Sequence, residues 1–227
     1  MYQRKLDTYE FEFGTSGLLY QSSKLMYDHQ TNSLWSTLQG KPVVGSLVGK
    51  NISLQKLPVV TSTWEKWGTR HPLTTVLSLD TGHERDYGEG VAYRDYFATQ
   101  KLKYSVTRRD DRLENKTNVL ILRDGSESVA ITIDLLVKQN CFHQDLGDRK
   151  WVLLTDSVGT CRVYDASHYR FSSWNGNDRV IDELGNAWHV TEDALVSQEG
   201  MELKRFAAHR AYWFGWYAQF PNAKLVK

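Results

Sequence analysis

Short apolar runs broken by turn-forming residues fill most of the chain, which is the pattern of strands rather than of long helices. Residues 8–13 (TYEFEF) alternate apolar and polar and predict a half-buried strand. A turn is expected at 14–17 (GTSG), with strands at 18–20, 24–27 and 33–38, the last of them after the turn formers of 28–32. Residues 43–48 and 52–57 read as two further strands and 75–79 as another. In the second half, 119–123, 128–133, 151–155, 161–164 and 188–190 are predicted strands, and 133–138 has a helical pattern. Helix is otherwise expected in two places. Ser62 and Glu65 fit a capping box that starts a short helix carrying Trp64 and Trp67, ended by Gly68 and Pro72. Residues 206–220, with Trp213, Trp216 and Phe220 at helical spacing, predict a buried helix whose aromatic stripe is core.

A repeat organises these elements. Asp28, Asn32 and Trp35 recur as Asp182, Asn186 and Trp188, and 29 and 25 residues after each tryptophan comes Trp-x-x-Trp-x-x-x-x-Pro. The predicted fold is therefore β-rich α+β: two pseudo-repeated antiparallel β units, each closed by a helix carrying Trp-x-x-Trp and packed as one body. The units are expected at 1–107 and 119–227, with the charge run RRDDRLENK inside a solvated linker at 108–118. Ahead of Tyr164, which aligns with Tyr2, the second unit has strand-like residues that the first lacks. The first unit therefore reads as truncated at its N-terminus, with an open sheet edge near residues 9–13.

Composition narrows the partners. A net charge of +1 gives no polyelectrolyte character, so nucleic acid is not expected as a partner. No apolar run is long enough to span a bilayer, and the N-terminus has no signal-peptide pattern, so the chain as it stands reads as soluble and cytoplasmic, with export of a longer form left open. Cys141 and Cys161 lack metal-ligand spacing and read as two buried, unpaired thiols in preference to a disulfide or a catalytic thiol. Eight tryptophans point to a core of large side chains.

Candidate chemistry concentrates in one polar loop. Leu77 to Gly82 resembles the apolar-Asp-Thr-Gly entry of aspartic proteases, but there is a single copy and His83 follows the glycine, so a loop anchor is the better reading. Asp80, His83, Arg85, Asp86 and Tyr87, with Tyr93 and Tyr96 behind them, offer imidazole, guanidinium, carboxylate and phenol groups for a small polar ligand. The competing reading is structural: Arg85 pairs with Asp86 and the tyrosines pack. Asp28 beside His29 reads as a turn aspartate bonding its own backbone. No metal motif, phosphate loop or dinucleotide fingerprint is present, and no metal or cofactor is expected.

The stretches FGTSGLLYQSSKLMYD, TNSLW, GKPVVGSLVG, LPVVTSTWEKW with His71 and Pro72, DTGHERDYG and YWFGWYAQFPNAKLV resemble the domain-of-unknown-function family numbered 3179 over nearly the whole chain. That resemblance implies a Cys-Pro-x-Cys-like motif, one position of which can be selenocysteine, just upstream of the residues matching Met1 to Phe13. The aligned place in the second unit, TDSVG at 155–159, has no cysteine. Met1 is then expected to be an internal start after a selenocysteine codon. Two functional readings stand: the scaffold part of a thiol or selenol redox protein whose reactive motif lies before Met1, leaving this chain inactive, or a non-catalytic β-rich module that binds a ligand or partner.

Overall fold

Where the chain writes four apolar residues in a row, as in VLIL at 119–122 and WVLL at 151–154, a strand can stay apolar throughout only if both of its faces are covered. The computed structural model, which describes residues 1–6, 9–88 and 90–227, covers them both. Strand β7 (Asn118–Asp124) turns Leu120 and Leu122 toward Trp151 and Leu153 of β10 (Arg149–Thr155), and Val119 and Ile121 toward Trp213 and Trp216. Val152 and Leu154, on the opposite face of β10, meet Tyr164, Phe171, Trp174 and Trp188. The period of two thus carries one strand's alternate residues into different core layers.

The first half is thinner. β1 (Lys5–Leu6) and β2 (Tyr9–Glu10) form a small pair, and β3 (Phe13–Tyr20), β4 (Ser23–Asp28), β5 (Leu34–Ser36) and β6 (Lys41–Val44) follow as an antiparallel sheet in sequence order, with β3 at an edge. Its core is Phe11, Trp35, Leu47 and Leu54, with Phe11 and Phe13 edge-on to the Trp35 ring. The turn predicted at 14–17 is instead an irregularity inside β3, where pairing with β4 shifts register between Thr15 and Leu19. Thr8, where the predicted first strand begins, lies outside the described residues.

The predicted strand at 52–57 is a strap: only Lys56 makes a bridge, to Tyr2, while Leu54 N–H bonds Gly40 O and Leu57 N–H bonds Met1 O. Its backbone partners come from the N-terminus and the β5–β6 turn, not from a neighbouring strand. Helix α1 (Trp64–Arg70) starts one residue later than the capping box implies. Thr63 Oγ1 accepts the Lys66 N–H, and the Ser62 hydroxyl reaches Thr160 Oγ1 at 3.0 Å instead. Residues 75–79 form no strand: Val76, Leu77 and Leu79 are exposed and have no strand to pair with among the described residues. A short helix α2 (Arg94–Phe97) follows.

The second half adds β8 (Glu127–Thr132), α3 (Ile133–Lys138), β9 (Cys141–Leu146), β11 (Cys161–Asp165), β12 (Phe171–Trp174), β13 (Arg179–Asp182), β14 (Ala187–Val190), β15 (Ala194–Ser197), β16 (Glu202–Lys204), β17 (His209–Tyr212), α4 (Trp213–Gln219) and β18 (Lys224–Val226). They assemble as three sheets, in orders β17-β7-β8-β18, β11-β10-β9 and β12-β13-β14-β15-β16. All described pairings are antiparallel except β18 with β8. The buried helix predicted for 206–220 is half that length, because 209–212 pair with β7 as β17 before the chain coils into α4. The charge run at 108–116 keeps Arg108, Arg109, Asp111, Arg112 and Glu114 exposed and is anchored at two points. Asp110 accepts from Arg112 and from the Trp213 indole, and Lys116 is buried with its ammonium on the Tyr96 and Thr99 carbonyls.

One turn recurs through the second half. Asp156, Asn175, Asp182 and Ser197 each bond their own N–H to the carbonyl four residues on, and each side-chain oxygen accepts the N–H groups two and four residues ahead. Gly159, Gly185 and Gly200 supply the left-handed residue three places after the first. Asp182 Oδ2 then accepts the Trp188 indole N–H at 3.1 Å, and Asp28 Oδ2 accepts that of Trp35 at 2.8 Å. All four residues are buried, so each carboxylate joins a hairpin turn to a core tryptophan.

Candidate functional site

The strap at 53–58 crosses the β7–β8 hairpin and leaves a cleft of about 680 Å³ between the two halves. Lys41 and Lys56 come from the first half, Arg123 and Arg205 from the second, and no acidic side chain lines the cleft among the described residues. Leu54, Leu57, Pro58, Phe206 and Phe220 give it apolar walls. Arg123 Nη2 donates to Gln39 O at 2.9 Å, and its guanidinium lies 5.2 Å from the centre of the Phe220 ring. Asp124, beside it in sequence, is turned away and pairs with Arg149 at 3.2 Å.

Lys56 carries the electrostatic signature of this cleft. Its ammonium makes no ion pair or side-chain hydrogen bond among the described residues, and burial, then the Arg123 charge, lowers its pKa to about 7. His209 is pushed down to about 3 by burial and then by Lys56 and Arg123, so it stays neutral. Tyr2, held at about 12 by burial, stays protonated. A buried cation lowered by a second cation is stabilised by any anion that enters.

A second cleft, of about 660 Å³, opens beyond Arg205 between α1 and the five-stranded sheet. Glu192 stands in it among four basic side chains. Arg162 Nη2 and Nε donate to Oε1 at 2.6 and 3.0 Å, Arg205 Nη1 donates to Oε2 at 2.9 Å, and Arg70 Nε and His71 Nε2 lie 3.2 and 3.4 Å from Oε1. Burial would raise the Glu192 pKa, but the Arg162 and Arg205 bonds and charges outweigh it and hold the carboxyl at about 2. Arg205 also donates to Glu192 O, and its guanidinium lies 5.6 Å from the centre of the Tyr164 ring. Here the cationic cluster has its anion built in.

The residues singled out in the sequence lie elsewhere. Asp80, His83, Arg85, Asp86 and Tyr87 are exposed on the segment after α1; Tyr87 Oη meets Thr81 Oγ1 at 2.8 Å and Asp86 Oδ1 accepts the Gly88 N–H. No Arg85–Asp86 ion pair occurs among the described residues. Tyr93 and Tyr96 line a separate depression with Arg94, Lys101 and Lys103, and the buried Lys116 ammonium sits 3.7 Å from the Tyr96 ring centre. Those seven side chains do not converge. Sequence reading missed Lys56, Arg123 and the Glu192 cluster, because Lys56 lies in a short strand-like stretch (LQKLP) with no charged neighbour in sequence and its neighbours in space come from distant segments.

The cysteines are placed by register. Cys141 is opposite Leu154 and Cys161 opposite Thr155, on strands flanking β10. Adjacent residues of β10 point to opposite faces, and two strand spacings separate the partners by roughly 10 Å, so no disulfide can form between them. Both are free, and burial pushes each thiol up to about 11.

No curated protein and no solved structure matches the chain. The family described as "Protein of unknown function (DUF3179)" matches residues 1–223, and the chain belongs to it.

Proposed function

We propose that this chain is a ligand-binding module of two related β-rich units, and that its ligand is a small anion held in the seam cleft by Lys56 and Arg123. The single observation carrying this is the partly buried Lys56 ammonium, which faces a second cation and, among the described residues, has no ion-pair partner and no acid lining its cleft. Such an arrangement costs stability when empty and recovers it on binding. The redox reading gains no support from the two thiols of this chain, which are held protonated well above neutral pH. The Asp80 to Tyr87 loop is assigned no part in holding the anion.

The relation between units is supported by matched detail. Both Trp-x-x-Trp helices have 7 residues, C-caps with φ and ψ of −129° and 71° against −134° and 68°, and a cap N–H bonded to the second tryptophan's carbonyl. In each, the cap side chain lies with its ring centre 4.0 Å from that tryptophan's, His71 on Trp67 and Phe220 on Trp216. Tyr2 bridges Lys56 as Tyr164 bridges Arg205; the Tyr2 hydroxyl lies 2.8 Å from Thr37 O and 3.1 Å from Leu38 O, and the Tyr164 hydroxyl donates to Thr191 O, with Leu38 and Thr191 each three residues past the buried tryptophan.

Thermal shift and calorimetry at pH 6 and low ionic strength, with inorganic phosphate and with simple carboxylates, test the binding. A shift above that given by chloride at matched ionic strength, abolished in Lys56→Met, is expected. No such shift, or one that Lys56→Met leaves intact, would show the cleft is not the site.

A further inference from the structure

The paired units allow the ligand class to be named, on the basis of the anion cleft proposed above. Counting from the second tryptophan of each helix, Lys56 and Arg205 occupy the same place, eleven residues before it. Counting from the buried tryptophan, Gln39 and Glu192 occupy the same place, four residues after it. Gln39 and Glu192 share a local feature, since each receives a guanidinium on its main-chain carbonyl, Arg123 on Gln39 at 2.9 Å and Arg205 on Glu192 at 2.8 Å, although the first of these arginines comes from the other half. The side chains then diverge. Glu192 sends its carboxylate into its cationic cluster, while the Gln39 amide turns to Gln219 Oε1 at 3.2 Å and, among the described residues, supplies Lys56 and Arg123 with no negative partner.

We infer that the seam cleft takes a small-molecule carboxylate with an apolar body, its carboxylate standing where the second unit places that of Glu192. A carboxylate has the right charge and size because the equivalent space holds one already, bonded through both oxygens. The cleft, at about 680 Å³, is far larger than that group alone, and Leu57, Phe206 and Phe220 wall the remainder. Phosphate fits less well: phosphate sites commonly rest on converging backbone N–H groups at a helix start or a nest, and no helix begins among the described residues that line this cleft.

The test is a calorimetric titration at pH 6 with 3-phenylpropanoate, acetate and inorganic phosphate, run on wild type, Gln39→Glu and Gln139→Glu. Gln39→Glu places an internal carboxylate beside Lys56 and should weaken 3-phenylpropanoate at least tenfold while raising the melting temperature. Gln139→Glu adds the same charge at an exposed position outside the cleft and should change affinity less than twofold. Wild type should bind 3-phenylpropanoate at least tenfold more tightly than acetate or phosphate. Phosphate binding as tightly as 3-phenylpropanoate, or undiminished affinity in a folded Gln39→Glu, would overturn the carboxylate assignment. If phosphate binds best and Lys56→Met abolishes it, the anion cleft stands and only the ligand class falls; if no probe binds wild type, both fall.

Discussion

Lys56→Met should make the ligand-free protein more stable, and only where the ammonium is charged. The side chain titrates at about 7 in the fold against 10.5 for an ordinary lysine, so between those values the unfolded chain holds the extra proton and stability rises with pH. Below pH 7 both states are charged and the cost of burying the ammonium beside Arg123 is fully present. At about 1.36 kcal/mol per pH unit that interval corresponds to at most ~5 kcal/mol, and water reaching the cleft reduces it to about 2 kcal/mol. Methionine keeps the stem and removes the charge. For a chain of this length about 2 kcal/mol raises the melting temperature by roughly 4–8 °C. Among the described residues the other groups facing Lys56 are Arg123, His209, Tyr2 and the Met1 amine, with Lys41 and Arg205 on the same cleft; His209 and Tyr2 stay neutral from pH 6 to 10, and the amine, lowered by burial and then by Lys56, adds to the gain of Lys56→Met in the same direction. Calorimetric melting of both proteins at pH 6 and pH 10.5 should show a gain at pH 6 that disappears at pH 10.5. A variant that melts at or below wild type at pH 6, or one that gains equally at both, would refute the reasoning.

Glu192→Gln should behave in the opposite sense. It leaves Arg162 and Arg205, whose side chains are each 5% exposed, without their carboxylate, and should cost about 3–5 kcal/mol in urea unfolding at pH 7. The wild-type contribution should be fully present above about pH 4.5 and be lost as pH falls through about 2, so the difference between the two proteins should close at low pH. Asp28→Asn and Asp182→Asn each turn an amide toward N–H donors in a buried site, and each should cost about 2–3 kcal/mol by chemical denaturation. The thiols, both raised to about 11, should react with a disulfide reagent at pH 8 at least tenfold more slowly in the native protein than after unfolding.

Legibility followed burial on two faces. VLIL and WVLL read as strands because every residue is apolar, and the structure uses every one of them in a core layer. Residues 52–57 and 75–79 carry similar residues but lack a strand partner among the described residues, and β-propensity is a preference for packing against neighbours. The helix predicted over 206–220 failed for the same cause in reverse: 209–212 have β7 beside them, and that pairing decides their conformation. Asp28, Asp182 and their tryptophans were legible as a repeat because one carboxylate does two jobs, turn and indole acceptor, which restricts both residue types. The cleft was hidden because Lys56 and Arg123 are 67 positions apart and meet only when the strap crosses the β7–β8 hairpin. The match proposed between Gln39 and Glu192 is masked further, since the two stretches differ in spacing between the buried tryptophan and the Trp-x-x-Trp helix and must be aligned from each end separately.

The ends of the two helices show why the unpaired cations belong to the seam. Arg70 and Gln219 hold the same place, three residues after the second tryptophan, and each crosses to the other half: Arg70 to Asn177 O and Val190 O, Gln219 to the Ser36 hydroxyl and the Gln39 amide. Each crossing ends beside the residue four past the buried tryptophan. In one, that residue is Glu192 and the surrounding cations are neutralised where they stand. In the other it is Gln39, and Lys56 and Arg123 are left facing each other across a joint between the halves. Two like charges at a joint weaken it, and folded chains keep such local conflicts mainly where something else is to occupy the space. On the proposed repeat, the seam sets Lys56 of the first half and Arg123 of the second around the place that Glu192 fills in the other clamp, and no carboxylate of the described residues stands there; that difference is the ground for placing a ligand in it.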